Sequence, residues 1–216
     1  GPGRRYRLPM SASATPSRTF GSVSTAIVTP FHADGTVDLD TAQRLAVELV
    51  DAGCDGLVVN GTTGESSTTH QPEKDALMRA IVEAVGDRAM IVGGAGSNDT
   101  AHAVRIAKGA ERSGAHGILI VTPYYNRPSQ AGLYTHMVAV AEATDLPVML
   151  YDIPVRAGRR IDRDVVLRLA RDLDNVVALK DATGDPAGTA RLIADLPDDF
   201  DVYSGDDAMT LPLLSV

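Results

Sequence analysis

Short apolar runs recur along the chain, and each is closed by a glycine, a proline or a polar cluster. Seven of these runs begin 25 to 33 residues apart. They are STAIVTPF (24–31), GLVVNG (56–61), AMIVGGAG (89–96), GILIVTPYY (117–125), PVMLYDIP (147–154), VVALKDATG (176–184) and DVYSGDD (201–207). Because apolar residues dominate most of these runs and do not alternate with polar ones, the runs predict strands that are covered on both faces of a sheet.

Between the runs, apolar residues recur at i, i+3, i+4 and i+7, which is typical of amphipathic helices. The stretches 39–53 and 73–86 show this spacing, and Pro72 suits the first turn of a helix. Strands and helices that alternate at this period predict consecutive βαβ units and a parallel sheet. We therefore expect an α/β protein with a (β/α)8 TIM barrel. The first strand is not followed by GxGxxG, which disfavours an open dinucleotide-binding sheet.

Seven predicted strands are one fewer than a (β/α)8 barrel requires, and the last residues belong to a seventh predicted helix. The pattern predicts an incomplete TIM-barrel catalytic domain over 21–216, truncated after the seventh strand and helix. Residues 1–20 are rich in arginine and serine and contain no acid. We expect a disordered tail or an expression-tag remnant there, with an organelle targeting segment as the alternative.

Bulk composition limits the partners and the compartment. The 216 residues carry a net charge of −8, which argues against binding to nucleic acid or to an anionic membrane surface. Cys54 is the single cysteine, so an intrachain disulfide is impossible and the cytoplasm is the expected location. The five histidines show no metal-binding spacing, and we expect neither a metal nor another cofactor.

One lysine ends a predicted strand, in VVALKDATG. Of the three lysines in the chain, Lys74 and Lys108 lie on charged helical stretches and are interpreted as solvated, whereas Lys180 follows four apolar residues. Apolar surroundings disfavour the ammonium form, lower the pKa and free the lone pair. A neutral amine condenses with a ketone to an imine, and the derived enamine attacks an aldehyde. Lys180 therefore predicts aldol-type carbon–carbon chemistry, although by itself it also fits a strand end at the surface.

Hydroxyl groups lie at the ends of other predicted strands. The C-terminal ends of the strands form the active site of such a barrel. No histidine ends a strand, so Tyr151, one unit before Lys180, is the candidate acid and base. Thr62 and Tyr125 extend it into a hydroxyl relay. A tyrosine in the position of Tyr151 is, by itself, more often a core residue whose hydroxyl is hydrogen-bonded. The location of Thr62, Tyr125, Tyr151 and Lys180 at four strand ends nevertheless favours a catalytic role.

Two features suit carboxylates. The turn at 61–64 offers backbone N–H groups that predict a nest for a substrate carboxylate. Arg156, in the loop after Tyr151, suits bidentate contact with a second carboxylate, and a solvent-facing loop charge is the alternative.

Five segments together resemble the dihydrodipicolinate synthase family of N-acetylneuraminate lyase-type class I aldolases. They are GTTGES (61–66), VTPYYNRPSQAGLY (121–134), LYDIPVRAG (150–158), LKDATGD (179–185) and YSGDDA (203–208). The resemblance implies a lyase that condenses pyruvate with L-aspartate 4-semialdehyde through a lysine Schiff base, in lysine and diaminopimelate biosynthesis. Another pyruvate-dependent class I aldolase, for 2-keto-3-deoxy sugar acids or sialic acids, and an inactive barrel fragment are the alternatives.

The resemblance also implies roles for individual residues. The catalytic residues are Lys180 (Schiff base), Tyr151 (proton donor and acceptor), Thr62 and Tyr125, and the substrate-binding residues are Thr63, Arg156, Gly61 and Gly205. Thr63 is expected to hold the pyruvate carboxylate and Arg156 that of the second substrate. Tyr125 is expected to serve the neighbouring subunit across a tight dimer, within a homotetramer.

The resemblance further bears on feedback control. Lysine-sensitive members carry histidines and a glutamate where this chain has Gln71, Lys74 and His102. A bound lysine would meet the cation of Lys74, so we expect weak or absent inhibition by lysine.

Overall fold

The computed structural model describes residues 18–216. Seven parallel strands form one sheet in chain order in this part of the molecule, which confirms the predicted βαβ repeat. The strands are β1 (Ser24–Ala26), β2 (Gly56–Val59), β3 (Met90–Gly94), β4 (Gly117–Val121), β5 (Val148–Asp152), β6 (Val176–Asp181) and β7 (Asp201–Ser204). Since each pair of neighbouring strands is parallel, all seven C-terminal ends lie at the same edge of the sheet.

Helices connect successive strands. They are α1 (Leu39–Asp51), α2 (Gln71–Val85), α3 (Thr100–Arg112), α4 (Gln130–Ala141), α5 (Pro154–Ala157), α6 (Arg163–Asp172), α7 (Pro186–Ile193) and α8 (Thr210–Leu214), with a 3-10 turn at Asp207–Met209 before α8. Side chains of Asp38, Asp99, Ser129 and Asp185 cap helix starts by accepting a backbone N–H three residues ahead. None of the described helices is long and apolar enough to cross a membrane.

The two faces of the strands bury different apolar layers. Side chains such as Leu57, Ile118 and Leu150 point outward and pack under the helices. Their neighbours Leu119 and Met149 point inward and form a second cluster. The strands are covered on both faces, as their continuous apolar runs predict. Inward residues from β2 to β6 share one interior cluster, so the sheet is curled as in a TIM barrel.

The segment before β1 closes the amino-terminal end of this curled sheet. Phe20 is completely buried in the inner cluster and stands edge-on to Tyr203 of β7. The Tyr203 hydroxyl accepts from the N–H of Phe20 and donates to the carbonyl of Gly21. Arg18 pairs with Asp201. Residues 18–20, assigned to the tail from composition, are thus part of the folded body, and 1–17 lie outside the described residues.

Candidate active site

Lys180 and Tyr151 lie side by side at the C-terminal ends of two neighbouring strands. They are register partners between β6 and β5. Each stands two residues after an inward side chain, Ala178 and Met149 respectively, so both face the interior. The Nζ atom of Lys180 lies 4.4 Å from the centroid of the Tyr151 ring. The structure therefore brings the predicted amine and phenol together, with the amine over the ring face.

Burial acts on both groups in the direction of the neutral form. It lowers the pKa of Lys180, and the charge of Asp207 opposes this effect. Burial raises the pKa of Tyr151, against the opposite influence of the Thr62 hydroxyl and the Arg156 charge. Desolvation thus favours an uncharged amine next to a protonated phenol, which is the pairing that imine formation with proton transfer requires.

A cavity of about 250 Å³ opens beside this pair. Its wall contains Gly61, Thr62, Tyr151 and Arg156, so four of the predicted residues share one space. Lys180 lies next to the cavity but is not part of its wall. The other residues that line it are Asn60, Ser66, Ser67, Gly94, Gly96, Leu119, Val121, Tyr124, Ile153 and Ala157.

The turn after β2 presents backbone donors. The N–H groups of Gly64 and Glu65 are used inside the turn, where they bond to the carbonyls of Gly61 and Thr62. No described residue accepts a hydrogen bond from the N–H of Thr62 or Thr63. Two adjacent free N–H groups suit a carboxylate, as the nest predicted from the sequence requires. The Thr63 side chain itself is exposed and does not line the cavity.

Gly205, after β7, packs against the stem of Lys180. Its N–H donates to the carbonyl of Asp181 at 2.7 Å. A Cβ atom at this position would stand 2.9 Å from Cγ of Lys180. The structure places Gly205 where it makes room for the lysine.

Arg156 lies on the short helix α5, directly after β5. Gly158 ends this helix in the left-handed conformation (φ 74°). The carboxylate of Asp152 accepts from the N–H of Ile161 at 3.2 Å and so ties the end of the Arg156 loop to its beginning. Arg156 remains exposed at the rim of the cavity and makes no ion pair with any described residue, so its guanidinium can reach a ligand.

Tyr125 does not join the other residues within one chain. It is 89% exposed, and its neighbour Tyr124 lines the cavity instead. Tyr125 and Arg127 both have positive φ, at 70° and 48°. Such a conformation is uncommon for bulky residues and needs support from its surroundings.

The interpretation of Lys74 as a solvated helix residue is wrong. Its relative exposure is 3%, because α2 turns this position toward the loop that precedes the helix. Lys108 is exposed, as expected. Sequence reasoning also missed Gly94 and Gly96, although they end the third predicted strand and the rule of strand ends would have included them.

Fold and site together define a class of protein. At the C-terminal ends of its strands, a curled parallel sheet carries a desolvated lysine, a buried phenol and two free backbone N–H groups. This combination is typical of a class I aldolase-type lyase. Within the described residues, no other lysine ends a strand.

Comparison with known proteins gives the family. The sequence profile of the Dihydrodipicolinate synthetase family matches residues 19–216. A curated relative, 4-hydroxy-tetrahydrodipicolinate synthase 2 of Streptomyces coelicolor, is 56% identical over 207 residues, which are 96% of this chain and 68% of the relative. The chain belongs to the dihydrodipicolinate synthetase family.

Solved structures agree with this assignment. A dihydrodipicolinate synthase from Bacillus anthracis superposes with a TM-score of 0.88 at 45% identity, over 91% of this chain and 67% of that one. The enzyme from Acinetobacter baumannii, solved in complex with pyruvate, gives a TM-score of 0.85 at 41% identity, over 89% of this chain and 66% of that one. The chain thus spans about two thirds of the length of these relatives.

Proposed function

We propose that the protein condenses pyruvate with L-aspartate 4-semialdehyde through a Schiff base on Lys180, the reaction of 4-hydroxy-tetrahydrodipicolinate synthases. The observation that carries this proposal is the pairing of Lys180 with Tyr151 at adjacent strand ends, with the amine 4.4 Å from the ring centroid. The curated relatives carry the name of this synthase, and the Acinetobacter structure contains pyruvate.

In the first step the neutral amine of Lys180 attacks the ketone carbon of pyruvate. The C–N bond forms, the carbonyl oxygen leaves as water, and an imine remains. Both protons of the neutral amine move from nitrogen to the departing oxygen, the first as the carbinolamine forms and the second as water leaves. The Tyr151 phenol, whose pKa burial raises, stands next to the amine, and Thr62 lies with Tyr151 in the cavity wall. We assign Tyr151 as the acid and base and Thr62 as its relay partner.

In the second step the imine nitrogen takes a proton from the Tyr151–Thr62 relay, and the neighbouring methyl carbon returns one to it, so that an enamine forms. This carbon attacks the aldehyde carbon of the second substrate, and a C–C bond forms. The new alkoxide takes up a proton from the same hydroxyl relay. Burial keeps water away from the reactive intermediates and shifts the amine toward its neutral form by lowering the pKa of Lys180.

We assign the carboxylates of the two substrates to different binding groups. The free N–H groups of Thr62 and Thr63, together with Gly61, suit the pyruvate carboxylate. Arg156, exposed at the rim, suits the carboxylate of the semialdehyde by bidentate contact. An arginine at this place favours an amino-acid aldehyde over the neutral chain of a sugar or sialic acid substrate.

The assembly and location belong to the same proposal. Tyr125, exposed outside its own cavity, suits a contact in which a partner subunit receives its hydroxyl, as in a tight dimer within a homotetramer. The single cysteine, Cys54, is compatible with a reducing cytoplasm.

Reductive trapping tests the proposal. The complete gene product is treated with pyruvate and borohydride and then digested with trypsin. We expect a pyruvyl adduct on Lys180, which blocks cleavage there and yields the intact peptide 172–191. Lys180→Arg is the matched control, because it keeps the charge and forms no imine. An adduct on Lys74 or Lys108, or none at all, contradicts the proposal.

A further inference from the structure

Lys74 is a buried cation that the proposed reaction does not use. It lies in the first turn of α2 and is 3% exposed. Its Nζ donates to the carbonyl of Ser66 at 2.6 Å, to the carbonyl of Thr69 at 2.9 Å and to the Thr69 hydroxyl. All three protons of the ammonium group are therefore placed on oxygens of the loop that precedes the helix.

This loop, residues 61–70, forms one wall of the cavity. Gly61, Thr62, Ser66 and Ser67 line the cavity from it, and the free N–H groups of Thr62 and Thr63 also belong to it. The loop is built of turns rather than of a continuous helix or strand. Lys74 donates its hydrogen bonds to Ser66 and Thr69, in the half of the loop that leads into α2.

A second contact ties the same place to the sheet. The Asn60 side chain, at the end of β2, donates to the backbone carbonyl of Lys74 at 3.1 Å. Asn60 has a positive φ of 58°, and its carbonyl lies against Gly94, where a Cβ atom would approach within 2.0 Å. Asn60 and Lys74 thus hold the two ends of the loop, one from β2 and one from α2.

The burial of the Lys74 ammonium group costs free energy, which the contacts of this group must offset. An ammonium group loses much hydration when it is buried, and no carboxylate pairs with Lys74 in the described part of the chain. Burial lowers the pKa of Lys74 to about 8, and the charge of Glu73 acts in the opposite direction. The ammonium group is therefore mostly charged at pH 7. Hydrogen bonds from a charged donor to carbonyl oxygens are stronger than those from a neutral amine.

We propose that Lys74 is a positioning residue, whose buried ammonium holds the 61–70 loop in the conformation that places Thr62 in the cavity wall, with the free N–H groups of Thr62 and Thr63 next to each other in the loop. Lys74 acts through the loop and does not touch substrate. The inference rests on the proposed function for its kinetic consequence, whereas the loop contacts stand independently of it.

The consequence is a preorganised site for the pyruvate carboxylate. If the loop loses its three bonds to Lys74, the binding-competent conformation becomes a minor one, and apparent affinity falls by the fraction of molecules that retain it. Saturating pyruvate draws the loop back, so the maximal rate recovers. The affinity for the semialdehyde, which Arg156 on α5 receives, is unaffected.

Steady-state kinetics of the complete gene product test this. Lys74→Met keeps the apolar stem and removes the donors, Thr69→Val removes one acceptor, and Lys108→Met is the matched control on an exposed helix position. We expect the KM for pyruvate to rise about tenfold in Lys74→Met and about threefold in Thr69→Val. The kcat and the KM for the semialdehyde should remain within about twofold of the wild-type values, and Lys108→Met should match the wild type.

Hydrogen exchange supplies the second readout. In Lys74→Met the amides of 61–70 should exchange faster, while those of the strands keep their protection. An unchanged KM for pyruvate in Lys74→Met, with reduced kcat or general loss of protection, overturns the proposal, because it shows only a structural role. If Lys74→Met does not fold, an unchanged pyruvate KM and unchanged exchange in Thr69→Val overturn it. A wild-type protein that forms no pyruvate adduct refutes the proposed function instead, and hydrogen exchange then still decides the role of Lys74.

Discussion

At the residue scale, the position of the Lys180 side chain depends on glycine, rather than a larger residue, at position 205. Lys180 runs along the backbone of Gly205, where even one methyl group would also stand 3.1 Å from Cβ of Ala182 and 3.2 Å from the carbonyl of Asp181. Two of these neighbours are rigid, so the lysine stem would have to move. A shift of about 1 Å at a reacting group is enough to cost about a hundredfold in rate.

Gly205→Ala should therefore lower kcat/KM by about ten- to a hundredfold and slow the trapping of pyruvate by borohydride. The physical reason is displacement of the Lys180 stem, and the loss of stability should stay at about 1–3 kcal/mol. Gly132→Ala, where the nearest atoms are 3.4 Å or more from the added carbon, is the control. Equal kinetics in both variants would show that the amine does not need this space.

At the element scale, adjacent strand positions separate the reactive pair from a pair of acids. Tyr151 and Lys180 face the interior, whereas the next residues, Asp152 and Asp181, are register partners on the outer side and both are 3% exposed. Asp181 accepts from the hydroxyls of Thr183 and Thr189. Asp152 accepts only from Ile161 among the described groups, so it bears more of the desolvation cost.

Burial raises the pKa of Asp152 from 3.8 to about 7. Between these values the folded protein holds a proton that the unfolded chain releases, so the stability contribution is present below about pH 4 and is lost as the pH rises through 7. Asp152→Asn removes this dependence and keeps an oxygen acceptor for Ile161. Relative to the wild type, its free energy of unfolding should increase by about 2 kcal/mol between pH 5 and pH 8.

Urea denaturation of both proteins at the two pH values measures this difference. Asp164→Asn is the control, since the Asp164 side chain is 93% exposed, and its difference from the wild type should not change with pH. Parallel pH profiles for Asp152→Asn and the wild type would mean that the Asp152 carboxyl titrates normally in the folded state.

At the scale of the whole molecule, the chain before β1 connects opposite edges of the curled sheet. Phe20 fills the interior at the amino-terminal end of the strands. Gly117 lies so close that a Cβ atom on Gly117 would stand 2.3 Å from the phenyl ring. Contacts of Arg18, Phe20 and Gly21 with Asp201 and Tyr203 join residues more than 180 positions apart in sequence. This segment therefore stabilises the arrangement of β1 and β7.

Phe20→Ala should lower the free energy of unfolding by about 3–5 kcal/mol, the range for deleting a buried phenyl group. Chemical denaturation measures the loss. Phe31→Ala, at a position that is 39% exposed, should lose much less. If the two variants were equally stable, residues 18–20 would be a dispensable tail, as the composition of 1–20 predicts.

The strands, their parallel order and the reactive pair could be predicted from the sequence, because these features depend on local patterns. Continuous apolar runs at a period near 30 residues determine buried parallel strands, and a chain that repeats this unit places every strand end at one edge. For that reason Lys180, Tyr151, Thr62 and Arg156 could be proposed together before any distance was known.

The sequence by itself thus determined the barrel-type sheet, the edge at which the strand ends meet and the one lysine that ends a strand there. Only the tertiary structure decided that Lys74 is buried, that Tyr124 and not Tyr125 lines the cavity of its own chain, and that Phe20 belongs to the core. Each of these features depends on contacts between segments distant in sequence or on the direction in which a loop carries its side chains. Periodicity reports which face of an element is apolar, but it does not report which distant oxygens or rings will meet that face.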